Sequence, residues 1–71
     1  MKQQIIDALC LKYQNKITKA KADIEGYFTI PESDVIDEMR IVVSVDNEIN
    51  IIADTEKKLK VIANHYTSSK I

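Results

Sequence analysis

Few side chains in this sequence are equipped for chemistry, and their spacing limits what they can do. There is one cysteine, Cys10, and one histidine, His65. A nucleophilic thiol needs a base in reach and a third group to orient that base. A chain folded back on itself would bring Cys10 roughly opposite its last helical stretch, which leaves a Cys–His contact open on position alone. No third group accompanies the pair. Cys10 also lies beside an apolar stripe, so it reads as a small core residue, and His65 reads as an exposed polar one. Asp34, Asp37 and Glu38 have the i, i+3, i+4 spacing that would gather three carboxylates on one helix face, as a general acid/base pair or a hard-cation site requires. Close to a helix start, capping and the helix dipole account for the same residues. Asp46-Asn47-Glu48 resembles the opening of a calcium loop, but its sixth position would be Ile51 and its twelfth Lys57, where Gly and Glu are needed. One glycine in the whole chain leaves no glycine-rich phosphate loop, and one cysteine leaves neither an internal disulfide nor a cysteine-built zinc site. The expectation is a protein that is not an enzyme and uses no metal or cofactor, with cysteine usage suited to a reducing compartment.

Charge is the next possible carrier of function. The net charge of −1 hides three blocks: +2 over residues 1–30, −6 over residues 31–54 and +3 over residues 55–71. A hairpin would collect the acidic block at its turn and much of the basic charge at its open end. Such faces ordinarily serve as solvated surfaces that set register and partner orientation. Read more sharply, Lys57, Lys58 and Lys60 at one end, and Asp34, Asp37 and Glu38 at the other, form docking surfaces for a protein partner of opposite charge. The same lysines, with those of the first helix, are the basis of an alternative reading as a nucleic-acid-associated accessory protein. Against it stand a pI near 5.7, no basic run longer than two and no interleaved aromatics. Nucleic acid is therefore not the expected partner.

The elements that must position these groups are legible in the apolar spacing. Ile6, Leu9, Tyr13, Ile17, Ala20, Ile24 and Tyr27 follow one another at steps of 3, 4, 4, 3, 4 and 3. That is a helical period and not a strand's. The central 4-4 step makes an eleven-residue repeat from Ile6 to Ile17, so strong left-handed supercoiling is not expected there. A helix is predicted over residues 2–29, with Gly26 weakening its last turn by about 1 kcal/mol. Pro31 breaks it, leaving a turn at 30–33. Thr29 with Glu32, or Ser33 before Asp34, offers a cap for a second helix starting between Pro31 and Asp34.

Residues 34–68 admit two readings. As one helix, Val42, Val45, Ile49, Ile52, Glu56, Leu59, Ala63 and Tyr66 keep an unbroken 3-4 alternation with one acidic intruder. As an α-ββ-α arrangement, the β-branched runs within residues 40–53 form a hairpin about Asp46-Asn47-Glu48. A tight hairpin wants Gly after the Asp or Asn, and Glu48 stands there. The helical beat running through this point into residues 54–66 decides for the helix. Ile49 then lies in mid-seam facing the first helix, and Ile49→Ala is expected to remove about 2–4 kcal/mol of burial and packing.

The fold expected is all-α: a single domain over residues 1–71, folded as a two-helix αα-hairpin. Two amphipathic helices leave part of their apolar stripes wet, and a chain this small needs a partner when it has no metal or disulfide. Association of two copies into a four-helix bundle follows, through Ile6, Leu9, Tyr13, Ile17, Ile24, Val42, Val45, Ile49, Ile52 and Leu59. No apolar run approaches the ~20 residues of a membrane span, and Asp7 interrupts any signal-peptide core after Met1-Lys2-Gln3-Gln4-Ile5-Ile6. A soluble cytoplasmic protein is expected.

A resemblance adds to this reading. Ile6-Asp7-Ala8-Leu9, Lys12-Tyr13, Ile17, Lys19-Ala20-Lys21-Ala22-Asp23-Ile24, Tyr27-Phe28 and Pro31 resemble the first half of small helical proteins of large contractile-tailed phages. Val45-Asp46-Asn47-Glu48-Ile49, Ile52 through Ile62 and His65-Tyr66 are similar to their second half. The chain departs from them at the turn, where a longer glycine-containing loop is expected, and in the β-branched run Ile41–Val45. The resemblance implies an accessory protein acting in the cytoplasm of an infected bacterium, and it favours a helix over residues 41–53. It brings no catalytic residues with it.

Overall fold

The computed structural model describes residues 1–31 and 37–67, which form two α-helices: α1, Lys2–Phe28, and α2, Glu38–His65. They pack against each other as an αα-hairpin, with no strand among the described residues. At 1.5 Å per residue, helices of 27 and 28 residues are each about 40 Å long. The chain is a rod of 52 × 17 × 16 Å. Its radius of gyration of 16.3 Å compares with about 11 Å for a compact chain of this length.

The β-hairpin alternative is overturned, because residues 40–53 lie inside one uninterrupted helix. Ile and Val lose only a few tenths of a kcal/mol each in a helix relative to better formers, and an unbroken hydrogen-bond ladder outweighs that. The start of α2 also differs from expectation. Asp37 is extended, with φ −145° and ψ 98°, and is the N-cap. Its Oδ1 accepts hydrogen bonds from the backbone N–H groups of Met39 (3.0 Å) and Arg40 (3.4 Å). The helix thus begins at Glu38, not at or before Asp34. The expected caps involving Glu32, Ser33 and Asp34 lie outside the described residues. Thr29 belongs to the other helix: its hydroxyl donates to the Gly26 carbonyl (3.0 Å) and its N–H to that of Glu25 (3.1 Å), closing α1 at Phe28. At the far end α2 stops at His65, short of residue 68, and Tyr66 donates its N–H to the Ile62 carbonyl (2.9 Å).

Two stability predictions follow from these ends. Asp37→Ala leaves the Met39 N–H without its acceptor, while the Arg40 N–H keeps the Asp37 backbone carbonyl (3.2 Å), and should destabilise by about 1 kcal/mol, read from a denaturant midpoint. Gly26 is helical, and a methyl group placed on its Cα meets nothing within 4 Å. Gly26→Ala should therefore stabilise by about 0.5–1 kcal/mol and raise the melting temperature by several degrees.

The face between the helices is narrow. In α1, Ile6 and Ala20 are buried, and Leu9, Tyr13, Ile17, Ile24 and Tyr27 half-buried, as their spacing predicts. In α2 the inward line is Ile41, Glu48, Thr55 and Ile62, flanked by Val45, Ile52 and Leu59. This corrects which residues of α2 were expected to face α1. Val42 and Ile49 are 56% and 50% exposed, and Glu56 is exposed as well. The two registers share Val45, Ile52 and Leu59 and differ by one residue in the line beside them. Thr55, 1% exposed, takes the place expected for Glu56. Lys58 over Tyr13 and Phe28 beside Ile41, Val42 and Val45 fix the antiparallel register, which brings Thr55 level with Ile17. A threonine buries a methyl and one hydroxyl there, whereas Glu56 would have to bury a carboxylate.

Candidate functional site

The groups singled out for chemistry are not assembled. Cys10 is half-buried on the flank of α1 that follows its inward line. His65 is exposed on α2, its ring edge-on to Tyr66 at 6.1 Å, on the flank that precedes the inward line. Asp37 is outside the helix and occupied as a cap, so Asp37 and Glu38 do not share a helix face, and Asp34 lies outside the described residues. Among the described residues no three His, Cys, Asp or Glu side chains gather as a metal site. Lys57, Lys58 and Lys60 do not form one basic face either. Lys57 and Lys60 point outward from α2, while Lys58 turns to a flank, where its Nζ sits 3.3 Å from Asp54 Oδ2 and 5.8 Å from the centroid of the Tyr13 ring.

What the fold does assemble is apolar surface. Met1, Ile5, Leu11, Phe28, Met39, Val42, Val43, Ile49, Val61 and Tyr66 are all at least 45% exposed. Single exposed apolar side chains are ordinary, but most of these gather into two patches. At the open end, Ile5, Ile6 and Leu9 of α1 face Val61, Ile62 and Tyr66 across an open groove of about 730 Å³, rimmed by Lys2 and Lys58. At the turn end, Phe28 of α1 and Ile41, Val42, Val45 and Ile49 of α2 line a smaller groove of about 330 Å³, with Asp46 at its edge.

Helix geometry places the two patches on opposite sides of the rod. Each residue advances about 100° around the axis. Ile5 and Val61 each precede an inward residue, Ile6 and Ile62, and so turn to one flank. Phe28, Val42 and Ile49 each follow one, Tyr27, Ile41 and Glu48, and turn to the other. In an antiparallel pair the preceding residues of both helices share a flank, which is why Ile5 meets Val61 and Phe28 meets Val42.

Apolar spacing alone found the inward residues of α1. It missed these patches because it counted Val42 and Ile49 inward and left Ile5 and Val61 uncounted. The signal was present in the sequence: runs of two or three adjacent apolar residues at 5–6, 41–43, 51–52 and 61–62 exceed what one narrow interhelical stripe can bury. No helix among the described residues is long and apolar enough to cross a membrane. The chain matches no protein-family model, no curated protein and no solved structure.

Proposed function

We propose that this protein is a non-enzymatic interaction module that associates with itself and docks on another protein through the apolar flanks of its hairpin. The observation that carries the reading is the exposed apolar surface, gathered into two grooves on a rod whose own core is thin. Within the described residues only Ile6, Ala20, Thr55 and Ile62 are buried. The chain exposes 5819 Å², against about 4,500 Å² for a folded monomer of its mass. That difference exceeds the ~800 Å² each partner contributes to a standard interface. A four-helix arrangement of two copies is the smallest assembly that covers one of the two grooves on each copy. The resemblance to small proteins of contractile-tailed phages supports a role as a phage accessory protein in the host cytoplasm, binding a host or phage protein.

Light scattering on a size-exclusion column tests the self-association. A mass above 8.1 kDa that rises with concentration is expected, and a strict monomer at high micromolar concentration overturns that half. Partner docking is tested by comparing proteins captured by the wild type and by Ile49→Glu: a partner retained equally by both does not use this surface. Binding of labelled DNA or RNA at low salt, lost steeply as salt rises, would instead support the nucleic-acid alternative.

A further inference from the structure

We propose that copies of this chain associate head to tail, the basic-rimmed groove at the open end of one receiving the acidic-edged apolar patch at the turn end of the next. This rests on the self-association proposed above and specifies its geometry. The first argument is sidedness. An interface with two-fold symmetry uses the same surface on both copies. The two patches lie on opposite flanks and at opposite ends of the rod, so a single side-by-side two-fold contact cannot cover both at once. Joining unlike patches covers both, and leaves one of each free only at the ends of an open assembly.

The second argument is charge. The open-end groove carries Lys2 and Lys58 on its rim, Lys58 also pairing with Asp54 (3.3 Å) at the exposed surface of α2. The turn-end patch has Asp46 at its edge, and Glu38 lies on the same flank one turn before Val42. Like joined to like would set lysine against lysine at one contact and carboxylate against carboxylate at the other. Unlike joined to unlike pairs them, and steers approach in one orientation. The third argument is size: Phe28, 65% exposed, offers an aromatic ring at the smaller patch, and the groove of about 730 Å³ at the other end has the volume to take one. Heterologous contacts of this kind either close into a ring or extend as an open chain.

Complementation between two variants is the deciding experiment. Ile5→Glu places a charge in the open-end groove and Ile49→Glu places one in the turn-end patch. Both sites are about half exposed on helices, so each variant should keep the wild-type far-UV dichroism. Wild-type protein should grow past a dimer with concentration. Each variant alone should associate at least about tenfold more weakly, since a carboxylate must be desolvated at the contact. Mixed one to one, they should form a dimer of about twice 8.1 kDa and stop there, each supplying the patch the other lacks. A mixture that stays monomeric, or a variant that still forms stable dimers alone, overturns the head-to-tail geometry while leaving self-association in place. A wild-type protein that never leaves the monomer overturns the underlying reading instead. Should either variant fail to fold, Lys58→Glu and Asp46→Lys replace them: each should weaken association and the mixture should restore it, and no restoration overturns the proposal.

Discussion

Ile62→Ala should destabilise the hairpin by about 2–4 kcal/mol, the largest loss expected from truncating any single side chain here. Ile62 is 8% exposed on the inward line of α2 and shares the open-end packing with Ile6, itself 8% exposed. With only four residues buried among those described, each carries a large share of the packing between the helices. A domain of this size has a stability of about 5 kcal/mol, so the loss consumes a large fraction of it. A fall in melting temperature of roughly 10–30 °C should follow in a far-UV dichroism melt. Ile49→Ala is the control. Ile49 is half exposed, and alanine's better helix propensity offsets the little burial lost, so its melt should move by only a few degrees. If the two variants melt alike, the inward line of α2 has been assigned to the wrong residues.

Ile49→Pro should do what Ile49→Ala does not. Residue 49 is interior to α2, with eleven helical residues before it and sixteen after. Proline there removes the hydrogen bond to the Val45 carbonyl and drives its ring against the same group, at about 3 kcal/mol or more. The segment Glu38–Glu48 would then have to hold to α1 as an isolated short helix, which is marginal in water. Loss of cooperative melting, with helix content falling well below the wild type, is expected. Retention of the full dichroism signal would mean that α2 is not continuous through residue 49.

How far the sequence discloses this arrangement differs between the two helices, for a physical reason. In α1 the large apolar residues lie mainly along one line, and the intervening Lys12, Lys16, Lys19 and Lys21 leave a single inward face. In α2 the apolar residues spread around most of the circumference. The lines Val42–Ile49–Glu56–Ala63 and Ile41–Glu48–Thr55–Ile62 each hold one acid and at least two apolar residues, so hydrophobicity cannot separate them. What separates them is size and charge at one level of the pair, where Thr55 is buried and Glu56 is left exposed. The start of α2 was hidden differently. Thr29, Ser33, Asp34 and Asp37 are all residue types that cap helices, and only backbone geometry selects Asp37. The candidate surfaces were the least legible part, since they are defined by which apolar residues the pairing leaves out.

The antiparallel register has a kinetic consequence. Phe28 and Ile41 are near neighbours in sequence, whereas Ile6 and Ile62 stand at opposite ends of the chain. Closing the loop between the first pair needs little loss of chain entropy, and each later contact closes only a small additional step. Folding should therefore nucleate beside the turn and zip outward. The patch carrying Phe28 and Val42 would be in place before the groove carrying Ile5 and Val61 exists. During synthesis or refolding, each molecule would thus be ready to enter a neighbour before it is ready to receive one.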